Sequence, residues 1–344
     1  MSNVIINSIN ELFGTMANGE SVYSHELINK NGIEVKIINY GATINSIKIP
    51  LKTGKIIDVV LGLDTLEDYI KSYEIGGSPY YGATIGRYSG RINQGSFTLN
   101  NKKYQLEKNQ NNHTLHGGNI GLSQRIWEVV KITEDINPSI KMTYFSPNME
   151  GGFPGDLTVV LTYTLTENNE LSIEYKATTS EDTIINLTNH SYFNLEGHNG
   201  TVANQDLYIN SKSILDTNEE NIPTGLVLDI NNSHFDFSTV KKCPIKIDTS
   251  FVLNKNNEVA ASLYSESSNL KMLVYTDQPS VHIYVGGKCD EQLIGKEKSK
   301  YQTNSGICFE TQNFPDAPNH GHFPNSVLKK DETYLQKTIY KFEN

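Results

Sequence analysis

The side chains best placed to do chemistry in this chain are one glutamate and a few histidines, all set in strand-like sequence. Near the C-terminus, GICFETQNFPDAPNHGHFP puts Glu310 directly after the apolar Ile307, Cys308 and Phe309. A carboxylate at the end of such a run must be paired, hydrogen-bonded or functional, because desolvating it otherwise costs several kcal/mol. On an extended strand Cys308, Glu310 and Gln312 take one face, while Ile307 and Phe309 take the other. In VHIYV, His282 and Tyr284 share a face opposite Val281, Ile283 and Val285. In NLTNHSYFNL, Asn186, Thr188, His190 and Tyr192 alternate with Leu187, Asn189, Ser191 and Phe193. A solvated sheet face would carry Lys, Glu and Thr. These faces carry His, Tyr, Asn, Gln and a single Glu, a set of donors, acceptors and aromatic plates that suits a neutral polyhydroxy ligand. For any one histidine taken alone, a buried polar network linking strands is the simpler reading.

A glutamate and a histidine on facing strands make an acid–base pair. Their ordinary pKa values are about 4.3 and about 6.5. Burial raises the first and a neighbouring carboxylate raises the second, so both can act near neutral pH. No GxSxG elbow is present, which argues against a serine hydrolase. Neither GxGxxG after a strand nor GxxxxGK[ST] occurs, so no nucleotide fingerprint is present. One carboxylate and one imidazole without a cofactor motif suit proton movement on a sugar better than redox chemistry, and no cofactor is expected. The remaining histidines do not point to a metal. His113 and His116 in HTLHGG lie three apart, on opposite faces of an extended strand. His320 and His322 have same-face spacing but lie in a Pro-flanked loop.

Period-2 sequence supplies the elements that must hold these groups. Ile33–Ile49 reads as two strands bent at Gly41, and Ser96–Leu106 as a hairpin turning at Asn100-Asn101. Leu157–Thr178 reads as a longer hairpin turning at Asn168-Asn169, and Leu270–Gly287 as another turning around Asp277–Pro279. YLQKTIYKFE closes the chain as a strand, and TLEDYIKSY is a short helix with Thr65 as its cap. Many strands, few helices and no βαβ alternation give an all-β fold, a large antiparallel sandwich or barrel, in one continuous domain over residues 1–344.

The composition agrees. Nineteen Tyr stand beside one Trp in 344 residues, and the formal charge is −10. That charge argues against nucleic acid and against an anionic membrane surface. Cys243, Cys289 and Cys308 are far apart and odd in number, which fits free thiols in a reducing compartment. No secretory signal and no apolar run of membrane-spanning length is apparent. A cytoplasmic protein is the expectation.

Seven stretches in order then give a specific resemblance: VVLGLDTLEDY, GATIGRYSGRI, LHGG, GGFPGDLTVVLTYTL, NLTNHSYFNL, the Asp248-containing IDTSFVL, and ETQNFPDAPN. Together they resemble the aldose 1-epimerase (galactose mutarotase) family over almost the whole chain. The resemblance implies a β-supersandwich with a sugar cleft on one sheet face, no cofactor, and interconversion of the α and β anomers of free aldohexoses. It implies that Glu310 is the general base at the C1 hydroxyl and His190 the general acid at the ring oxygen. Arg91, His116, Asp248, Gln278, Ser191 and Tyr192 are implied to bind the sugar. The implied partner is a small-molecule sugar such as galactose or glucose, bound by a monomer or a homodimer.

Two positions depart from the family pattern: Gly90 and Gly287 stand where Asn is usual. A lost hydrogen bond of this kind weakens sugar binding by about 0.5–1.5 kcal/mol. Three other readings compete. A sugar-phosphate epimerase would need basic residues for the phosphate, with Arg87 and Arg91 as candidates. A silent sugar-binding protein would be expected to lack Glu310 or His190. A metal-dependent β-barrel enzyme would use His113, His116, His190 and His282.

Overall fold

The computed structural model describes residues 10–75, 78–254, 258–286 and 293–344. Because Tyr, Thr, Ile and Val dominate over helix formers, the chain folds almost wholly as antiparallel strands. One sheet has nine strands in the order Glu128–Thr133, Ser139–Ser146, Leu157–Leu165, Glu170–Thr179, Tyr334–Glu343, Leu270–Thr276, Ala261–Ser265, Asp206–Ile209 and Lys241–Lys242. A six-stranded sheet runs Tyr192–Phe193, Ile307–Gln312, Ser280–Val285, Ile247–Leu253, Ser211–Thr217 and Pro223–Asp229. A five-stranded sheet is built from Asn10 to Asp58 in chain order.

The core lies between the two larger sheets. Val281, Ile283, Val285, Ile307 and Phe309 are fully buried and belong to one cluster with Leu161, Tyr163, Val274 and Tyr340 of the nine-stranded sheet. Tyr340 donates its hydroxyl to the Phe309 carbonyl at 3.2 Å, which ties the two walls together behind the Glu310 strand. The strand parity expected from the sequence holds: the apolar set faces the core, and the His, Tyr, Glu and Gln set faces away.

Several local expectations are met. Asn100 and Asn101 both adopt positive φ, as a two-residue hairpin requires, and join strands Ser96–Leu99 and Lys102–Gln105. Leu157–Leu165 and Glu170–Thr179 form the longer hairpin. The helix spans Leu66–Glu74, and the Thr65 side chain accepts from the Asp68 N–H. Among the described residues, no helix is long and apolar enough to cross a membrane. Cys243 and Cys308 are free and buried; Cys289 lies outside the described residues.

One expected hairpin is absent. Leu270–Thr276 pairs with Ala261–Ser265 and Tyr334–Glu343 in the nine-stranded sheet, whereas Ser280–Val285 pairs with Ile247–Leu253 and Ile307–Gln312 in the six-stranded one. Asp277–Pro279 is therefore a crossover between sheets. Asp277 pins it to the closing strand, donating its N–H to the Lys337 carbonyl at 3.2 Å and accepting from the Lys337 N–H at 2.9 Å. Alternation shows that both segments have an apolar face. It does not show whether two such segments pair side by side or face each other across a core.

Candidate active site

The outer face of the six-stranded sheet forms the floor of a cleft of about 580 Å³. Its side chains fall in cross-strand rows. Ser250, His282 and Glu310 stand opposite one another in register, as do Asp248, Tyr284, Cys308 and Tyr192. Adjacent strands lie about 4.8 Å apart, so each row presents its groups side by side. Loops carrying Tyr80, His116 and His190, with the short strand Arg91–Ile92, line the rest of the cleft.

His190 is set by backbone pairing on both sides of it. Its N–H donates to the Ala83 carbonyl at 2.9 Å, and its own carbonyl accepts from the Gly82 N–H at 3.0 Å. The ring Nε2 lies 3.4 Å from Glu310 Oε1, with both side chains almost completely buried. Nδ1 points the other way, 3.5 Å from Cys308 Sγ. Burial pushes the Cys308 thiol well above its ordinary value, so it stays protonated beside the ring. Rings pack round the imidazole, with Tyr192 at 5.2 Å, Tyr80 at 5.7 Å and Tyr284 at 6.4 Å between centroids. Among the described residues, no protein group donates a hydrogen bond to the Glu310 carboxylate, which lies 3.4 Å from His190 Nε2.

His116 follows the short pairing of Arg91–Ile92 with Thr114–Leu115. Its Nδ1 accepts from the Gly90 N–H at 3.2 Å. A backbone N–H can only donate, so the neutral ring carries its proton on Nε2. Burial, reinforced by His190, Arg91 and His282, holds the ring well below its ordinary pKa and hence neutral. His116 is thus an N–H donor in the cleft. Gly90 sits at φ +77, in the left-handed region, and a Cβ there would meet Pro315 at 3.0 Å. Gly287 lies outside the described residues.

The donor atoms of His116, His190 and Glu310 all lie within 4.8 Å of one another. The set does not fit a metal ion. A metal-bound imidazole offers a lone pair to the ion and a proton to a neighbour, whereas His116 is turned the opposite way by Gly90. His113 accepts from the Gln94 N–H and faces Glu220 at 3.3 Å, so it stands apart from His116's site. His320 lies 3.2 Å from Asp316, and His322 bonds the Gly225 carbonyl.

Arg91 donates Nε to Gln110 at 2.7 Å and lies 3.9 Å from Asp248 Oδ2. Asp248 meets His282 Nε2 at 2.9 Å through Oδ1 and accepts from Asn221 Nδ2 at 3.2 Å through Oδ2. Burial pushes Asp248 up, but the hydrogen bond and charge of His282, with Arg91, outweigh it and leave the carboxyl at about 2. Arg91 is the one lysine or arginine lining the cleft among the described residues. Arg87 is spent elsewhere: Ser146, Pro147, Pro154 and Gly155 take its donors in a buried cage.

The structure brings together Glu310, His190, Arg91, His116, Asp248 and Tyr192. It does not bring in Gln278, which lies on the sheet crossover, donates to Asp277, and lines a separate groove with Leu253, Asn254 and Tyr334. Ser191 is buried with its hydroxyl donated to Asn189 Oδ1 at 2.7 Å, so it shapes the loop rather than the cleft. Conversely, Gln110 and Tyr80 line the cleft although neither is a candidate from the sequence, and His282, read there only as part of the polar face or of a metal set, lines it too. For His282 the signal was present in its parity with Tyr284. For Gln110 and Tyr80, on loops, no periodicity existed to reveal it.

Comparison with known proteins places this geometry. Residues 23–341 match the family model for aldose 1-epimerase. The chain is 34% identical over 346 residues to galactose mutarotase of Bos taurus, covering 96% of this chain and 97% of that protein. It is 33% identical to aldose 1-epimerase of Haemophilus influenzae, covering 92% and 94%. A crystal structure of an aldose epimerase homologue from C. elegans superposes with a TM-score of 0.85 at 30% identity, over 93% of this chain and 98% of that one.

Proposed function

The chain belongs to the aldose 1-epimerase family, and from that premise we propose how its cleft carries out the family's reaction. The protein is an aldose 1-epimerase, interconverting the α and β anomers of free aldohexoses such as D-galactose and D-glucose. Its substrate is a small sugar.

In this reading Glu310 takes the proton from the C1 hydroxyl while His190 Nε2 gives a proton to the ring oxygen. The C1–O5 bond opens, the aldehyde turns about C1–C2, and the ring recloses on the other face. The reverse steps use the same two groups with their protons exchanged. The two reacting oxygens share one carbon, so acid and base must stand within a few ångström of each other, and the 3.4 Å His190–Glu310 contact meets that need. The observation that carries the assignment is the placement of the pair: Glu310 lines the cleft 3.4 Å from His190 Nε2, and no hydrogen bond from the described protein groups takes up its carboxylate.

Around this pair, His116 donates Nε2–H to the sugar, while Arg91 and Asp248 offer a donor and an acceptor to its hydroxyls. Tyr192 packs against the acid at a tilt of 37°, with 5.2 Å between ring centroids. Two observations weigh against a phosphorylated sugar: a single guanidinium lines the cleft, and Arg87 is committed to carbonyl and hydroxyl oxygens. A single domain is the simplest description, because one core cluster draws on residues from Leu27 to Phe342.

The test is polarimetry of freshly dissolved α-D-galactose and α-D-glucose. The protein should speed the approach to anomeric equilibrium in proportion to its concentration, before and after EDTA. A rate equal to that of buffer for both sugars would refute the reading.

A further inference from the structure

His282 stands in the cleft without a part in the proton transfers, and its surroundings give it one. It is the direct cross-strand neighbour of Glu310 on one side and of Ser250 on the other. Both ring nitrogens are engaged by protein: Nδ1 with Ser250 Oγ at 2.8 Å and Nε2 with Asp248 Oδ1 at 2.9 Å. The ring therefore has no free atom for a sugar while it holds these partners. It instead fixes which oxygen of Asp248 is spent. Oδ1 faces the imidazole, and Oδ2 is left toward Asn221 and Arg91.

We propose that His282 is a positioning residue of the sugar site: it orients the Asp248 carboxylate for the substrate hydroxyls. This rests on the mutarotase reading of the cleft. The charged and titratable groups facing the ring are Asp248 on one neighbouring strand, Glu310 on the other, and Arg91 and His116 from the wall above. Burial pushes the imidazole down, but the hydrogen bond and charge of Asp248, then the charge of Glu310, lift it above its ordinary value, so it keeps its proton to higher pH. The Ser250 hydroxyl can accept from or donate to Nδ1, so the clamp survives either protonation state.

Polarimetric kinetics on α-D-galactose across about pH 5–9 test this. His282→Ala frees Asp248 and should raise KM about 10-fold with kcat within about threefold, the size expected for a misplaced charged hydrogen bond. His282→Gln keeps an amide donor for Asp248, so KM should return to within about threefold of wild type. A purely structural role would lower thermal stability without this split between KM and kcat and without its rescue by His282→Gln. A KM within twofold of wild type for His282→Ala, or a KM that stays raised in His282→Gln, overturns the proposal. If His282→Ala does not fold, the nitrogen-15 titration of His282 in Asp248→Asn decides alone. If the wild type proves inactive on both sugars, the reading of function falls separately. The hold on Asp248 is then judged by nitrogen-15 NMR: Asp248→Asn should lower the pH at which His282 titrates, and an unchanged titration overturns the proposal.

Discussion

Glu310 is buried and Asp58 nearly so, and each carboxylate has a histidine Nε2 close by, at 3.4 and 3.3 Å. What surrounds them differs. Asp58 is saturated: Oδ1 accepts from the Ile47 and Val60 N–H groups at 3.1 and 3.3 Å, and Oδ2 from Ser46 Oγ at 3.0 Å and Lys296 Nζ at 2.6 Å. Its histidine, His198, is itself held by the Tyr301 hydroxyl at 3.0 Å. Burial pushes the Asp58 carboxyl up, but the Lys296 charge and the His198 contact outweigh it and hold the group well below the usual range. Glu310 has no such set of donors and opens on a cavity. A histidine–carboxylate contact thus does not by itself mark a site. A carboxylate that lines a cleft, with lone pairs no protein donor takes, does.

This contrast predicts opposite phenotypes. Asp58→Asn removes the partner of buried Lys296 and should lower unfolding stability by about 3–5 kcal/mol, measured by urea denaturation, while the folded enzyme keeps its kcat within about twofold. A loss below about 1 kcal/mol would mean the Asp58 cluster is not the stabilising region. His190→Asn should do the reverse. Mutarotation of fresh α-D-galactose should slow by at least about 10²-fold with little change in Tm, and a rate within threefold of wild type would remove His190 from the acid role.

The acid side separates the regions further. A depressed carboxyl contributes stability above its unfolded value, near 3.8 for Asp58, and that contribution disappears as pH falls through the lower folded value. The gap in urea midpoint between wild type and Asp58→Asn should therefore be constant from about pH 8 to 5 and narrow toward pH 2. A gap that widened on acidification would contradict the assignment. The smallest effect is expected at the sheet crossover: Gln278→Ala should leave KM for galactose within about twofold, and a tenfold rise would return Gln278 to the site.

Much of this was legible in the sequence. Strand parity placed Glu310, His282 and Tyr284 on one face and the apolar Ile307, Phe309 and Ile283 on the other, because a period of two is fixed by the backbone. The motif set brought His190, Arg91, His116 and Asp248 to one cleft although they lie far apart in the chain. Two things were hidden. The switch between sheets at Asp277–Pro279 follows from which wall each strand joins, and alternation is silent on that choice. Gln278 was misplaced for that reason, and the neighbouring His282 occupies the cleft in its stead. Ser191 was misread because its loop turns the hydroxyl back onto Asn189, a local bond that no spacing announces.

The most direct measurement is the mutarotation rate of Glu310→Gln at saturating α-D-galactose, with sugar binding followed in parallel by calorimetry. The amide keeps the shape but cannot take the C1 hydroxyl proton. The turnover should fall at least about 10²-fold while Kd stays within about threefold. A variant that turns over within threefold of wild type would contradict the claim that this unsaturated carboxylate is the base.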